Sequence, residues 1–117
     1  MVDLLIKFPT RGRPHKFRQQ FNKYYDMLSN QISVSFIISM DIDDKTMNSF
    51  NVKKWLSSLC TNKNNVYFNY GRSKTKIQAI NADMNLCTDF KVLLLASDDN
   101  VIIKTKRNIL KCIVNKL

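Results

Sequence analysis

The sequence predicts an α/β fold: a mostly parallel sheet covered by helices on both faces, built as four repeats of strand then helix. Three observations predict it. Short apolar runs recur about every thirty residues, the length of one strand–helix–strand step. The segments between the runs carry apolar residues at every third or fourth position, the period of a helix with one buried face. The chain has only Gly12, Gly71, Pro9 and Pro14 as strong breakers, so the polar clusters that end the runs must do the turning.

The first strand is VDLLIKF, Val2 to Phe8, followed by a helical segment with Phe17, Phe21, Tyr24, Tyr25 and Leu28 on one face. SVSFIISM, Ser33 to Met40, is the second strand, and Val52, Trp55, Leu56, Leu59 and Cys60 give the next segment helical spacing. VYFNY, Val66 to Tyr70, is the third. Ile77, Ile80 and Met84 mark a third helix, with Ser73 as its expected N-cap. FKVLLLA, Phe90 to Ala96, is the fourth strand, and Ile109, Leu110, Ile113, Val114 and Leu117 predict a fourth helix. Nothing along the way reads as a linker or a low-complexity tract, so residues 1–117 are expected to form a single domain.

Composition narrows the class. Nineteen Lys and Arg stand against nine Asp and no Glu, a formal net charge of +10 that favours an anionic partner. No apolar run reaches the ~18 to 20 residues that a membrane-spanning helix requires. MVDLLIKFP lacks the basic start and small-residue cleavage site of a signal peptide, so the cytosol is the expected location. Cys60, Cys87 and Cys112 are widely spaced among apolar residues, which suits reduced buried thiols rather than a disulfide framework or a zinc site. The sole histidine, His15, is expected on the surface.

An open parallel sheet binds its ligands beyond the carboxyl ends of its strands. Four clusters fall there: PTRGRP (Pro9 to Pro14), DIDDKT (Asp41 to Thr46), GRSKTK (Gly71 to Lys76) and SDDN (Ser97 to Asn100). Arg11 and Arg13 carry planar guanidinium forks that suit phosphate or a nucleobase face, unless the turn is merely a solvated basic one. Asp41 ends a buried strand, where a carboxylate needs hydrogen-bond donors such as a pyrimidine N3–H or a ribose hydroxyl. The alternative is a solvated Asp41 with Asp43 or Asp44 capping the next helix. Lys76 can reach a phosphate from the first turn of the third helix. Asp98 and Asp99 can hold a hard divalent ion together with its substrate's phosphates, or can cap the turn after the strand.

The dinucleotide fingerprint G-x-G-x-x-G and the P-loop G-x-x-x-x-G-K-[ST] are both missing. No serine–histidine–aspartate set and no H-E-x-x-H arrangement can be drawn. A small nucleic-acid-binding module is the reading from a different class, supported by the +10 charge. Nucleic acid is disfavoured because the aromatics fall on helix core positions rather than on a stacking face.

LLIKFPTRGRP, FIISMDIDD, KIQAINADM and DFKVLLLASDDN, taken in order, resemble the nucleotide-sugar-binding half of glycosyltransferases with the GT-A fold, family 2 type. The likeness spans nearly the whole chain, and its most specific block is the strand leading into that family's D-x-D motif. It implies a Rossmann-like three-layer half with about four parallel strands alternating with four helices. It also implies a nucleoside-diphosphate sugar, usually a uridine compound, with Mn²⁺ or Mg²⁺ as cofactor. By position, Thr10, Arg11 and Arg13 would lie beside base and ribose and Asp41 would accept from the uracil. Lys76 and Asn81 would face the diphosphate or hold the loop that does, and Asp98 and Asp99 would hold ribose and metal.

Two departures accompany the likeness. Ala96 or Ser97 stands where the first aspartate of D-x-D belongs, so either Asp98 or Asp99 can be the ligand. The family's acceptor site and acceptor-activating carboxylate lie in a further segment, so no catalytic base is assigned here. The expectation is a truncated domain whose sheet is completed by a missing C-terminal half or another chain. A sugar nucleotidyltransferase-like domain is a second enzyme reading, disfavoured by the absence of a Gly-rich first loop.

Overall fold

The structure, a computed structural model, describes residues 2–28, 32–62 and 65–96. Its elements run β1 (Val2–Pro9), α1 (Pro14–Leu28), β2 (Val34–Asp41), α2 (Phe50–Asn62), β3 (Val66–Gly71), α3 (Lys76–Asn81), a short 3₁₀ turn (Met84–Leu86) and β4 (Phe90–Leu95). The fourth helix expected over Ile109–Leu117 lies outside the described residues. All four strands are parallel, in the order β3-β2-β1-β4. The fold is therefore α/β and Rossmann-like, as the repeating pattern predicts.

Strand order decides which face each helix covers. The chain steps from β1 to β2 to β3 in one direction, then returns past both to set β4 beside β1. Right-handed crossovers place α1 and α2 on one face and α3 on the other. Strand alternation agrees: Leu4, Ile6, Phe8, Val34, Phe36, Ile38 and Met40 pack with Phe17, Phe21, Leu56 and Leu59 in one core. The α3 side meets the opposite face, where Lys7 bonds the carbonyl of Ala82 and Ser39 bonds Asp83. Because both faces of β1 and β2 are covered, Leu4 to Phe8 and Val34 to Met40 are buried without interruption. Strands β3 and β4 are edges among the described residues, and β4 alternates, with Leu93 and Leu95 exposed on the α3 side.

The core is aromatic. Phe8 meets Phe17 edge to face at 4.9 Å between centroids, Phe21 lies 4.9 Å from Phe36, and Trp55 of α2 meets Phe17 at 5.8 Å and Phe21 at 5.7 Å. Each fully buried phenylalanine contributes about 1.5–3 kcal/mol, and a well-placed ring pair about 0.5–1.5 kcal/mol more. Arg18 covers the outer face of Trp55, its guanidinium 4.9 Å from the ring. No helix among the described residues is long and apolar enough to cross a membrane. Cys60 and Cys87 are free thiols, half-buried rather than buried as expected, and His15 is exposed as expected, hydrogen-bonded with Gln19; Cys112 lies outside the described residues.

Helix starts follow local chemistry. Pro14 opens α1 with its fixed φ, and the Phe17 N–H closes the first turn on the Arg13 carbonyl at 2.9 Å. Ser49 caps α2, its Oγ accepting from the Val52 N–H at 3.3 Å, so neither Asp43 nor Asp44 serves as that cap. The cap of α3 is Thr75, whose Oγ1 accepts from the Gln78 N–H at 3.1 Å, and not Ser73 as the sequence suggests. Ser73 lies in the loop before the helix, where its N–H donates to Asp41 Oδ1 at 3.0 Å. Thr75→Ala is expected to cost about 1 kcal/mol in a urea titration, whereas Ser73→Ala, which keeps the N–H, should be near neutral.

Candidate functional site

The loops after β1, β2 and β3 close on one another at the carboxyl edge of the sheet. Asp41, the last residue of β2, is the junction. Its Oδ1 accepts from the Ser73 N–H after β3, and its Oδ2 accepts from Arg11 after β1 at 2.7 Å. The side chain is 14% exposed, so the carboxylate is largely out of water and held by donors on both sides. Arg11 also reaches Asp43 Oδ1 at 3.2 Å. Asp43 first, and Asp41 with it, raise the Arg11 pKa above its ordinary value.

Asp44 makes the second junction. Its Oδ2 accepts from the Gly12 N–H at 2.7 Å, while its Oδ1 accepts from the Thr46 hydroxyl at 2.6 Å and the Thr46 N–H at 3.2 Å. Burial alone would push its pKa up, but these bonds and one from the Met47 backbone outweigh it, leaving the carboxyl below its ordinary value. Gly12 presents that N–H at φ 72°, the left-handed region where an L side chain is strained, although a Cβ there would meet nothing within 4 Å. Conformation, not space, requires the glycine.

These loops enclose a cleft of about 1000 Å³. Thr10, Arg11, Arg13 and Asp41, four of the residues expected at the site, all line it. Arg11 and Asp41 are engaged with each other rather than free, but each carboxylate oxygen has a second acceptor direction. Asn81 ends α3, exposed and outside the lining, while its neighbours Ala82 and Asp83 are in it. Lys76 opens α3 beside Lys74 and Thr75, which line the cleft; its own side chain is not among those described. Asp98 and Asp99 lie outside the described residues. The chain leading to them does enter the site: Leu95 and Ala96 line the cleft, and the Ala96 N–H bonds the Lys7 carbonyl at 2.9 Å.

Sequence reasoning missed several residues here. Asp43, Ser39, Ser73 and Asp83 all line the cleft. Lys7 lies fully buried beneath it, donating to Ser39 Oγ and the Ala82 carbonyl. A lysine interrupting LLIKF was the available signal for that position. Burial pulls the Lys7 pKa below its ordinary value, partly countered by the charge of Asp83.

Among the described residues, no three His, Cys, Asp or Glu side chains gather in a way that could hold an ion. A divalent ion shared with a diphosphate needs only one or two protein carboxylates, and Asp98 and Asp99, two and three residues past the cleft-lining Ala96, have that donor chemistry. No protein-family model matches this chain, and no curated protein matches it either.

Proposed function

We propose that this chain is the donor-binding half of a glycosyltransferase of the GT-A type, similar to family 2. It takes a nucleoside-diphosphate sugar, a uridine compound, with Mn²⁺ or Mg²⁺. The observation that carries the reading is the cleft itself: guanidinium groups, an ordered carboxylate junction and the end of β4 meet at the carboxyl edge of a parallel sheet. That edge is where α/β sheets bind nucleotides, and the mix of cations and carboxylates suits an anion carrying polar rings.

In this reading, Arg11 is fixed in its plane by two carboxylates, which leaves a guanidinium face for the uracil. Asp41 keeps one acceptor direction per oxygen for the base N3–H, and Thr10 and Arg13 flank base and ribose. Lys76 and Asn81 serve the diphosphate or its loop. Asp98 and Asp99 hold the metal and a ribose hydroxyl; the metal, when bound, neutralises charge on the departing diphosphate. No residue of this chain is assigned here as the base that activates the acceptor.

The test is calorimetric titration of uridine diphosphate into the protein with Mn²⁺, with Mg²⁺ and with chelator. Metal should tighten binding, and Asp98→Ala combined with Asp99→Ala should remove that gain, at least ~tenfold or about 1.4 kcal/mol. Binding by the double variant equal to wild type in Mn²⁺ would remove both aspartates from the metal role. No binding by wild type under any condition would overturn the nucleotide assignment.

A further inference from the structure

The α3 side of the sheet holds a buried polar network on a surface that packing does not require to be polar. Lys7 is fully buried there, beside the fully buried Leu5 and Ile37. Its Nζ donates to Ser39 Oγ and to the Ala82 carbonyl. Ser39 Oγ in turn donates to Asp83 Oδ2 at 2.6 Å, and Asn69 Nδ2 donates to Asp83 Oδ1 at 2.8 Å. Strands β2 and β3 thus meet on one carboxylate in the turn after α3, and Lys7 of β1 supports it through Ser39 and the Ala82 carbonyl.

Two costs meet at that carboxylate. An ammonium removed from water costs several kcal/mol unless it is paired and hydrogen-bonded, and an apolar side chain could fill the same space. Asp83 also sits at φ 62°, ψ 13°, where a non-glycine residue is uncommon and held at a cost of order 1–3 kcal/mol. It is the one non-glycine residue with positive φ among those described. Glycine would relieve the backbone but would leave Ser39 and Asn69 without their acceptor.

The network also opens into the cleft. Ser39, Ala82 and Asp83 line it, beside Leu95 and Ala96 at the end of β4. Ser39 and Asn69 each occupy one acceptor direction on a different oxygen of Asp83, which leaves one direction on each. Two acceptors on one planar carboxylate match two neighbouring hydroxyl donors. Such a pair is a vicinal diol, a group that both a ribose and a hexosyl unit carry.

We propose that Asp83 recognises a vicinal diol of the bound nucleotide sugar, and that Lys7, acting with Ser39 and Asn69, is a positioning residue that orients its carboxylate. The inference rests on the nucleotide-sugar reading of the cleft and adds a recognition residue that the resemblance does not supply. Lys7 does not touch the ligand. It acts through Ser39 and through the Ala82 carbonyl, one residue before Asp83.

The experiment titrates uridine diphosphate and uridine diphosphate glucose, each with Mn²⁺, into wild type, Asp83→Ala, Lys7→Met and the double variant, with circular dichroism confirming the fold. Asp83→Ala is expected to weaken binding by ~tenfold, the loss of about 1.4 kcal/mol. An equal loss for both probes assigns the diol to the ribose, and a loss confined to the glucose compound assigns it to the sugar. Lys7→Met should weaken binding in the wild-type background and add nothing when Asp83 is already alanine, because a residue acting through another cannot be lost twice. A purely structural lysine would instead give additive losses, which overturns the positioning role. If Lys7→Met does not fold, Ser39→Ala takes its place in the cycle. A folded Asp83→Ala that binds both probes as wild type does overturns the recognition role. Absence of binding by wild type overturns the nucleotide reading and this inference with it, a result distinct from every other.

Discussion

Phe21→Ala is expected to destabilise the protein by about 3–5 kcal/mol, the range for a large aromatic truncated in a closed core. Phe21 is fully buried and stands among four rings: Phe17 at 6.2 Å, Tyr25 at 6.0 Å, Phe36 at 4.9 Å and Trp55 at 5.7 Å. It is the point at which α1, α2 and β2 meet, so a cavity there cannot be closed by moving one helix without opening another contact. Domains have only about 5–15 kcal/mol of total stability, so this single change removes a large part of it. Phe21→Leu, which keeps most of the volume, should cost well under half as much. Urea titrations of the two variants check the ratio; equal losses would show that the site collapses around leucine no better than around alanine.

Asp44→Ala is expected to cost about 2–4 kcal/mol at neutral pH, because it removes a charged acceptor from the Gly12 N–H and from both donors of Thr46. The carboxyl is depressed below its ordinary 3.8 in the folded protein. Its contribution is therefore fully present above the unfolded value and is lost as pH falls through the folded one. Wild type and variant should differ most above pH ~4 and converge in stronger acid. A difference that stays constant down to the acid limit would show that Asp44 acts by its shape and not by its charge. Binding of uridine diphosphate should weaken in the same variant, since the loop it braces carries Arg11 and Arg13 into the cleft.

The DIDD cluster shows how far sequence reasoning reaches at this edge. Its placement after a buried strand was legible, because LLIKF and SVSFIISM are too apolar and too short to be anything but covered strands. Its division of labour was not. Asp41 ties two loops, Asp43 holds Arg11, and Asp44 carries the turn, each through a donor about thirty residues away in sequence or on the next loop. Capping of the next helix, the local alternative for Asp43 or Asp44, falls instead to Ser49. The start of α3 likewise depends on the loop before it: Thr75 caps the helix, while Ser73 is held by a distant carboxylate, Asp41, through its N–H. Lys7 and Asp83 carry no mutual signal at all, being 76 residues apart and linked through Ser39 and the Ala82 carbonyl.

The amino-acid sequence by itself determined the alternation of strands and helices, the parallel sheet and the edge on which polar chemistry would collect. Those follow from periodicity and from the handedness of L-chains, both properties of short segments and their order. Only the tertiary structure decided that Arg11 and Asp41 hold each other, that Asp44 grips Gly12, and that a buried lysine beneath the cleft donates to Ser39, which in turn bonds Asp83. Those are pairings between distant segments. They depend on strand order and register, because β2 must lie between β1 and β3 before one carboxylate can accept from the loops of both.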